Sequence, residues 1–115
     1  MAGQLLYIGK NNVKNKMLYL VKDNEYYTPK YIVDYFYPKG FDYDPATNEE
    51  KAKEFNVKNY DTIETDGLTK DWTKYKNIWI NPPFTKKYEF LNKAVETYNE
   101  VHNNIYISTY RIFNN

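Results

Sequence analysis

Apolar residues fall in short, punctuated runs along this chain, and the spacing within each run changes from one to the next. LLYIG (5–9) and MLYLV (17–21) are compact apolar stretches separated by polar KNNVKNK, a pattern that predicts two strands of a hairpin. EYYTPKYIVDYFYPKG follows with helical spacing. Thr28 supplies a side-chain oxygen to cap a helix, and Pro29 suits the first turn, where its missing N–H costs nothing. Ile32, Val33 and Phe36 then share one face, and Pro38 and Gly40 stop the helix near Tyr37.

FDYDPATN (41–48) reads as a brief strand running into an acidic, proline-bearing turn. Thr47, with Glu50 three residues on, predicts a capping box for a polar helix over 48–55, whose apolar face is only Ala52 and Phe55. DTIETDGLTKDW (61–72) is loop-like, with Gly67 allowing a turn. NIWI (77–80) predicts a buried strand, ended abruptly by Pro82 and Pro83, which lack the N–H a sheet needs. Thr85 is placed to cap the next helix, with Tyr88, Leu91, Val95, Tyr98 and Val101 on one face and a Glu89–Lys93 pair beside them. IYIST (105–109) is the last strand.

From residue 25 onward the order is helix, strand, helix, loop, strand, helix, strand. Such alternation predicts a parallel sheet with crossover helices, an open α/β sandwich. Residues 1–115 read as a single domain, with 1–24 an N-terminal extension or hairpin and 25–112 the core. Ligands of such sheets lie beyond the carboxyl ends of the strands. The DPAT and NPPF loops are therefore expected to share one crevice.

Composition narrows the chemistry. Hydrophobic residues are 42% and charged residues 27% of the 115, as in an ordinary folded chain. No stretch of eighteen apolar residues exists to span a membrane, and the start, MAGQLLYIGKNN, carries no basic leader, so a cytoplasmic location is expected. There is no cysteine, and the sole histidine and serine are His102 and Ser108. Disulfides, thiolate catalysis, cysteine-based zinc sites and a Ser-His-Asp triad fall away, and no metal is expected. The net charge of +1 argues neither for nor against nucleic acid. Asn, Lys, Tyr and Ile, all heavily used, have A/T-rich codons, so the 14 tyrosines need not mark a binding surface.

The NPPF loop has its own chemistry. Asn81 precedes a proline and is biased to an extended backbone. Its side-chain oxygen and the carbonyl of Pro82 are two acceptors that can converge on one amino group, with the flat face of Phe84 beside them. That set suits a nucleobase with an exocyclic amine, extruded from a duplex. Accepting both amine hydrogens leaves the nitrogen lone pair free to attack an electrophilic methyl group. Plainer readings stand beside this one: the prolines end a strand, Phe84 packs in the core, Trp72 and Trp79 are core residues, and His102 is a surface residue.

Four landmarks in order, EYYTPKYIVDYF, FDYDPATNEEKAKEF, DGLTKDW and NIWINPPF, resemble the phage-encoded DNA adenine methyltransferase (Dam) family from about Glu25 to Phe84. The resemblance implies the small Rossmann-like sandwich of methyltransferases that use S-adenosyl-L-methionine, and double-stranded DNA as partner. It implies catalytic roles for Asn81, Pro82, Pro83 and Phe84, the first two holding the adenine amine and Phe84 stacking on the base. Asp42 and Asp44 match the place that holds the cofactor's methionine end, with Pro45 and Ala46 shaping the backbone. Thr28 and Pro29 match an element near the cofactor carboxylate, and Asp66 is a candidate for its ribose or adenine. Lys86 and Lys87, at the helix start, are candidates for DNA phosphate.

The chain departs from the family in two ways. It has no glycine-rich cofactor loop, and it stops six residues after IYIST, where family members continue with further strands. Two functions follow as alternatives: an adenine-N6 methyltransferase for phage or prophage DNA, with a partner subunit completing the fold, or a truncated, inactive remnant that binds DNA or cofactor.

Overall fold

A computed structural model describes residues 2–9, 17–22, 30, 31, 34 and 39–108. Among these runs one six-stranded sheet made of β1 (Ala2–Ile8), β2 (Met17–Lys22), β3 (Tyr43–Asp44), β4 (Asn59–Tyr60), β5 (Asn77–Ile80) and β6 (Asn104–Ser108). The same described residues hold the helices α1 (Glu49–Glu54) and α2 (Lys87–Val101). The result is a small mixed α/β fold. The helix predicted after Thr28 and Pro29 falls largely outside the described residues; Lys30, Tyr31 and Asp34 are helical.

The spatial strand order is β2-β1-β6-β5-β3-β4. β3 is parallel to β4 and to β5, and β5 is parallel to β6. The parallel half thus follows from the alternation of elements. The first two strands pair antiparallel, as their flanking apolar runs predict, but they are no mere extension. β1 also pairs antiparallel with β6, with Leu6 opposite Ile107 and Ile8 opposite Ile105, so the hairpin continues the sheet.

Strand alternation sorts the core into two faces. Ile78 and Ile80 of β5 lie with Ile105 and Ile107 of β6, Tyr43, Trp72 and the α2 residues Phe90 and Ala94 in one buried cluster. Trp79 turns to the opposite face, where its ring lies 5.3 Å from that of Phe41, which in turn lies 5.3 Å from Tyr106. Both tryptophans are buried. Each large side chain so buried contributes about 1.5–3 kcal/mol, and the cluster between β5, β6 and α2 fixes where α2 lies.

Two helix starts differ from expectation. Asn48, not Thr47, caps α1: its side-chain oxygen accepts from Lys51 N at 2.8 Å. Thr47 N–H instead donates to Asp61 O at 3.0 Å, fastening the turn after β3 to the end of β4. Helix α2 has no side-chain cap, and Thr85 is exposed. The Pro82-Pro83 corner leads into one tight turn of 3-10 geometry, Phe84–Lys86, so the α-helix opens only at Lys87. That entry rotates the helix. Phe90, Ala94 and Thr97 are its buried residues, whereas Tyr88, Val95 and Val101 of the predicted stripe are exposed. Thr97 is tolerated inside because its hydroxyl donates to Lys93 O at 2.7 Å.

The chain order creates a reversal point. From β3 the chain moves outward to β4, then returns to the other side of β3 to form β5 and, beyond it, β6. Loops leaving the carboxyl ends of β3 and β5 therefore diverge from adjacent strands. Sheets of this type bind ligands in the cleft that such a reversal opens.

Candidate functional site

The turn after β3 is built by its own carboxylate. Asp44 Oδ1 accepts from Ala46 N at 2.9 Å, which bends the chain directly after the strand, and Asp44 is buried. Asp42, expected beside Asp44 at the cofactor's methionine end, is placed differently. It lies at the amino end of β3, where its Oδ2 accepts from Lys76 N at 3.0 Å and Asn77 N at 3.1 Å. Asp42 ties the start of β5 to the start of β3, away from the reversal point.

The loop after β4 forms the opposite wall. Thr62 N donates to Thr65 Oγ1 at 2.8 Å and Asp66 N donates to Thr62 O at 2.9 Å, closing a compact turn. Ile63 at its tip is 92% exposed. Asp66 takes the left-handed conformation, φ 54°, and its carboxylate accepts from Leu68 N at 3.2 Å. Gly67 is needed for a close approach: a Cβ there would lie 2.1 Å from Pro45 O. Trp72 Nε1 pins the wall from the core by donating to Gly67 O at 2.9 Å. Beneath it, Tyr43 donates its hydroxyl proton to Asp61 Oδ2 at 2.6 Å. Burial, then the bond to Asp61, pushes the Tyr43 hydroxyl well above the usual tyrosine range.

Residues 81–84 form the third side. Asn81 is 5% exposed, and Pro82 is buried with it. Pro83 is half-buried in an extended conformation and opens the 3-10 turn, and Phe84 is 44% exposed. The motif thus grades from a fixed floor at Asn81 to an open ring at Phe84. The Lys87 ammonium lies 4.4 Å from the centre of that ring.

These three segments surround a cavity of about 180 Å³. Pro45, Ala46, Thr47 and Asn48 line it from the β3 turn, Thr62, Ile63, Asp66 and Gly67 from the β4 loop, and Pro83, Thr85, Lys86 and Phe90 from the β5 side. The DPAT and NPPF loops therefore share one crevice. Of the residues singled out in the sequence as site candidates, Pro45, Ala46, Asp66, Pro83 and Lys86 line it. Asp44, Pro82, Phe84 and Lys87 adjoin lining residues along the chain, and Asn81 stands two residues from the nearest, Pro83. Asp42 does not reach it, and Thr28 and Pro29 lie outside the described residues. Sequence reasoning placed Thr47 in the crevice as part of the DPAT loop but missed Asn48, Thr62, Ile63 and Phe90 as lining residues. Thr62 and Ile63 follow a two-residue strand whose residues, Asn59 and Tyr60, give no apolar signal.

The lining suits a ligand with both polar and apolar parts: one carboxylate, four neutral hydrogen-bonding side chains, one lysine, and apolar surface from Ile63, Phe90 and the prolines. Among the described residues, no group of three or more His, Asp or Glu is placed to hold a metal ion. No described helix is long and apolar enough to cross a membrane.

A family profile described as DNA N-6-adenine-methyltransferase (Dam) matches residues 12–108. A protein of Escherichia phage T1 named DNA N-6-adenine-methyltransferase is 34% identical over 72 residues, which cover 60% of this chain and 29% of that protein. The match thus spans under a third of the length of that curated relative. No solved structure matches the chain.

Proposed function

The chain belongs to the phage-type DNA N-6-adenine-methyltransferase (Dam) family, and from that premise we propose that it methylates the N6 amine of adenine in double-stranded DNA, using S-adenosyl-L-methionine. One observation carries the reading: the acidic β3 turn and the NPPF loop leave adjacent parallel strands at the reversal point and enclose one cavity. A Rossmann-like methyltransferase sandwich is the arrangement that this topology supports. The setting is phage or prophage DNA inside the bacterial host.

The cavity's donor set fits the cofactor. Asp66, Thr62 and Asn48 offer acceptors and donors for hydroxyl and ammonium groups, while Ile63 and Phe90 offer apolar surface for a purine. Asp44, whose carboxylate shapes the turn, sets the backbone of Pro45 and Ala46 against the same space. When bound, the cofactor supplies a sulfonium-activated methyl group. The chain's own part is to hold the adenine. Phe84 offers a ring on which the extruded base stacks, and the Asn81 side-chain oxygen with the Pro82 carbonyl accepts the two amine hydrogens. Fixed acceptors that match the reacting amine lower the barrier without reorganising. With the methyl donor bound, the amine held by Asn81 and Pro82 would take the methyl group from the sulfonium and release its own proton to solvent. Lys86 and Lys87 take backbone phosphate.

The test is transfer of labelled methyl groups from S-adenosylmethionine to unmethylated DNA. Wild type should form N6-methyladenine, and Asn81→Ala should lose about a hundredfold or more in rate, the scale seen when one fixed polar group is taken from a transition state. Equal incorporation by the two proteins, or none by wild type, overturns the proposal. The deep burial of Asn81 favours a second reading, in which the cavity binds the cofactor and no methyl moves. Calorimetric binding of S-adenosylhomocysteine without transfer would select it.

A further inference from the structure

Phe84 and Tyr88 stand four residues apart where the NPPF corner enters α2, and both rings are open, at 44% and 68% exposure. The Lys87 ammonium lies between them, 4.4 Å from the centre of the Phe84 ring and 5.2 Å from that of Tyr88. A charge over an exposed ring is weakly held, so this ammonium is free to exchange the rings for an anion. The patch is continuous with the cavity, because Thr85 and Lys86, which line the cavity, lie between Phe84 and Tyr88 in the chain, and Pro83, also in the lining, directly precedes Phe84. Two large open rings with a cation between them match the footprint of an unstacked nucleic-acid strand, with a base on each ring and phosphate on the charge.

Resting on the methyltransferase reading, which puts the target base on Phe84, we infer that Tyr88 stacks the adjacent nucleotide of the same DNA strand, and that Lys87 holds the phosphate joining the two. Tyr88 is then a positioning residue. It draws the strand out of its stack beside the target and keeps the target's sugar-phosphate in register with the NPPF corner. Lys87 serves both states, resting on the rings in the free protein and meeting phosphate in the complex.

Binding of a short, fluorescently labelled, adenine-containing single strand tests this by anisotropy across a salt series. Tyr88→Ala should weaken binding roughly tenfold with an unchanged salt slope, and Tyr88→Phe should restore it. Lys87→Gln should reduce the slope of log affinity against log salt by about 0.7, the share of one phosphate contact. With wild-type protein, an abasic nucleotide beside the target should reproduce the Tyr88→Ala loss, which keeps the test valid whatever the variants' stability. Binding by Tyr88→Ala equal to wild type, an unaltered slope in Lys87→Gln, or indifference to the abasic nucleotide would each overturn the inference. Methyl transfer measured alongside separates the two claims. Transfer by wild type that Tyr88→Ala matches refutes the platform alone, and platform behaviour without transfer refutes the enzyme alone.

Discussion

Tyr43 shows how much one hydroxyl can hold in place. It sits in the core, stacked on Tyr75 at 4.3 Å, and its only polar atom is donated to Asp61 at the end of β4. Replacing it with phenylalanine keeps the ring and strips Asp61 of its donor, at an expected cost of about 1–3 kcal/mol, the range for a bond to a charged acceptor. The hydroxyl is held above its ordinary value by burial and by Asp61. Its contribution is therefore complete below the unfolded tyrosine pKa and shrinks as pH rises past about 10, where the unfolded chain loses its proton first. Urea unfolding of wild type and Tyr43→Phe should show a clear gap near neutrality that narrows in strong alkali. A gap of constant size would refute the assignment. Residues such as Gly67 explain why site details escape the sequence. The sequence presents it as a turn glycine, yet the left-handed residue is Asp66, and Gly67 is needed for its contact with the Pro45 carbonyl across the cavity wall. A contact between two distant loops leaves no local trace.

Among the elements, α2 repeats that lesson at larger size. Its length and position were legible from spacing and from the proline corner, but its rotation was not. Leu91 and Tyr98 of the predicted stripe do pack against the core, but the buried centre of the face is Phe90, Ala94 and Thr97, which leaves Tyr88, Val95 and Val101 exposed. The start of α1 was ambiguous for a simpler reason: Thr47 and Asn48 are both good caps, and the backbone of Thr47 is committed to Asp61. The far end of α2 carries a cost that can be relieved. His102 closes the helix in the left-handed region at φ 55°, donating its N–H to Tyr98 O at 2.8 Å, and it is exposed. Glycine adopts that conformation without a Cβ penalty, so His102→Gly should stabilise the fold by about 1 kcal/mol. A lowered thermal midpoint would show that the imidazole, which lies 5.1 Å from the Tyr98 ring, contributes more than the backbone loses.

Across the whole molecule, the parallel half of the sheet followed from element order, whereas the antiparallel pairing of β1 with β6 did not. That pairing joins opposite ends of the chain, and neither strand encodes its partner. The sheet is also uneven. β1 is seven residues long and β6 five, but β3 and β4, whose loops shape the cavity, have two each. Few ladder bonds secure that margin, so amides of residues 42–47 and 59–61 should exchange with deuterium sooner than those of β5 and β6. S-adenosylhomocysteine should slow the first set selectively; uniform protection would argue against a ligand seated there. A guest held between the β3 turn and the β4 loop acts as the rung that the ladder itself does not supply. Occupancy and completion of the fold at that margin then become a single event, and the protein's grip on its guest is set partly by how loosely its own border is stitched.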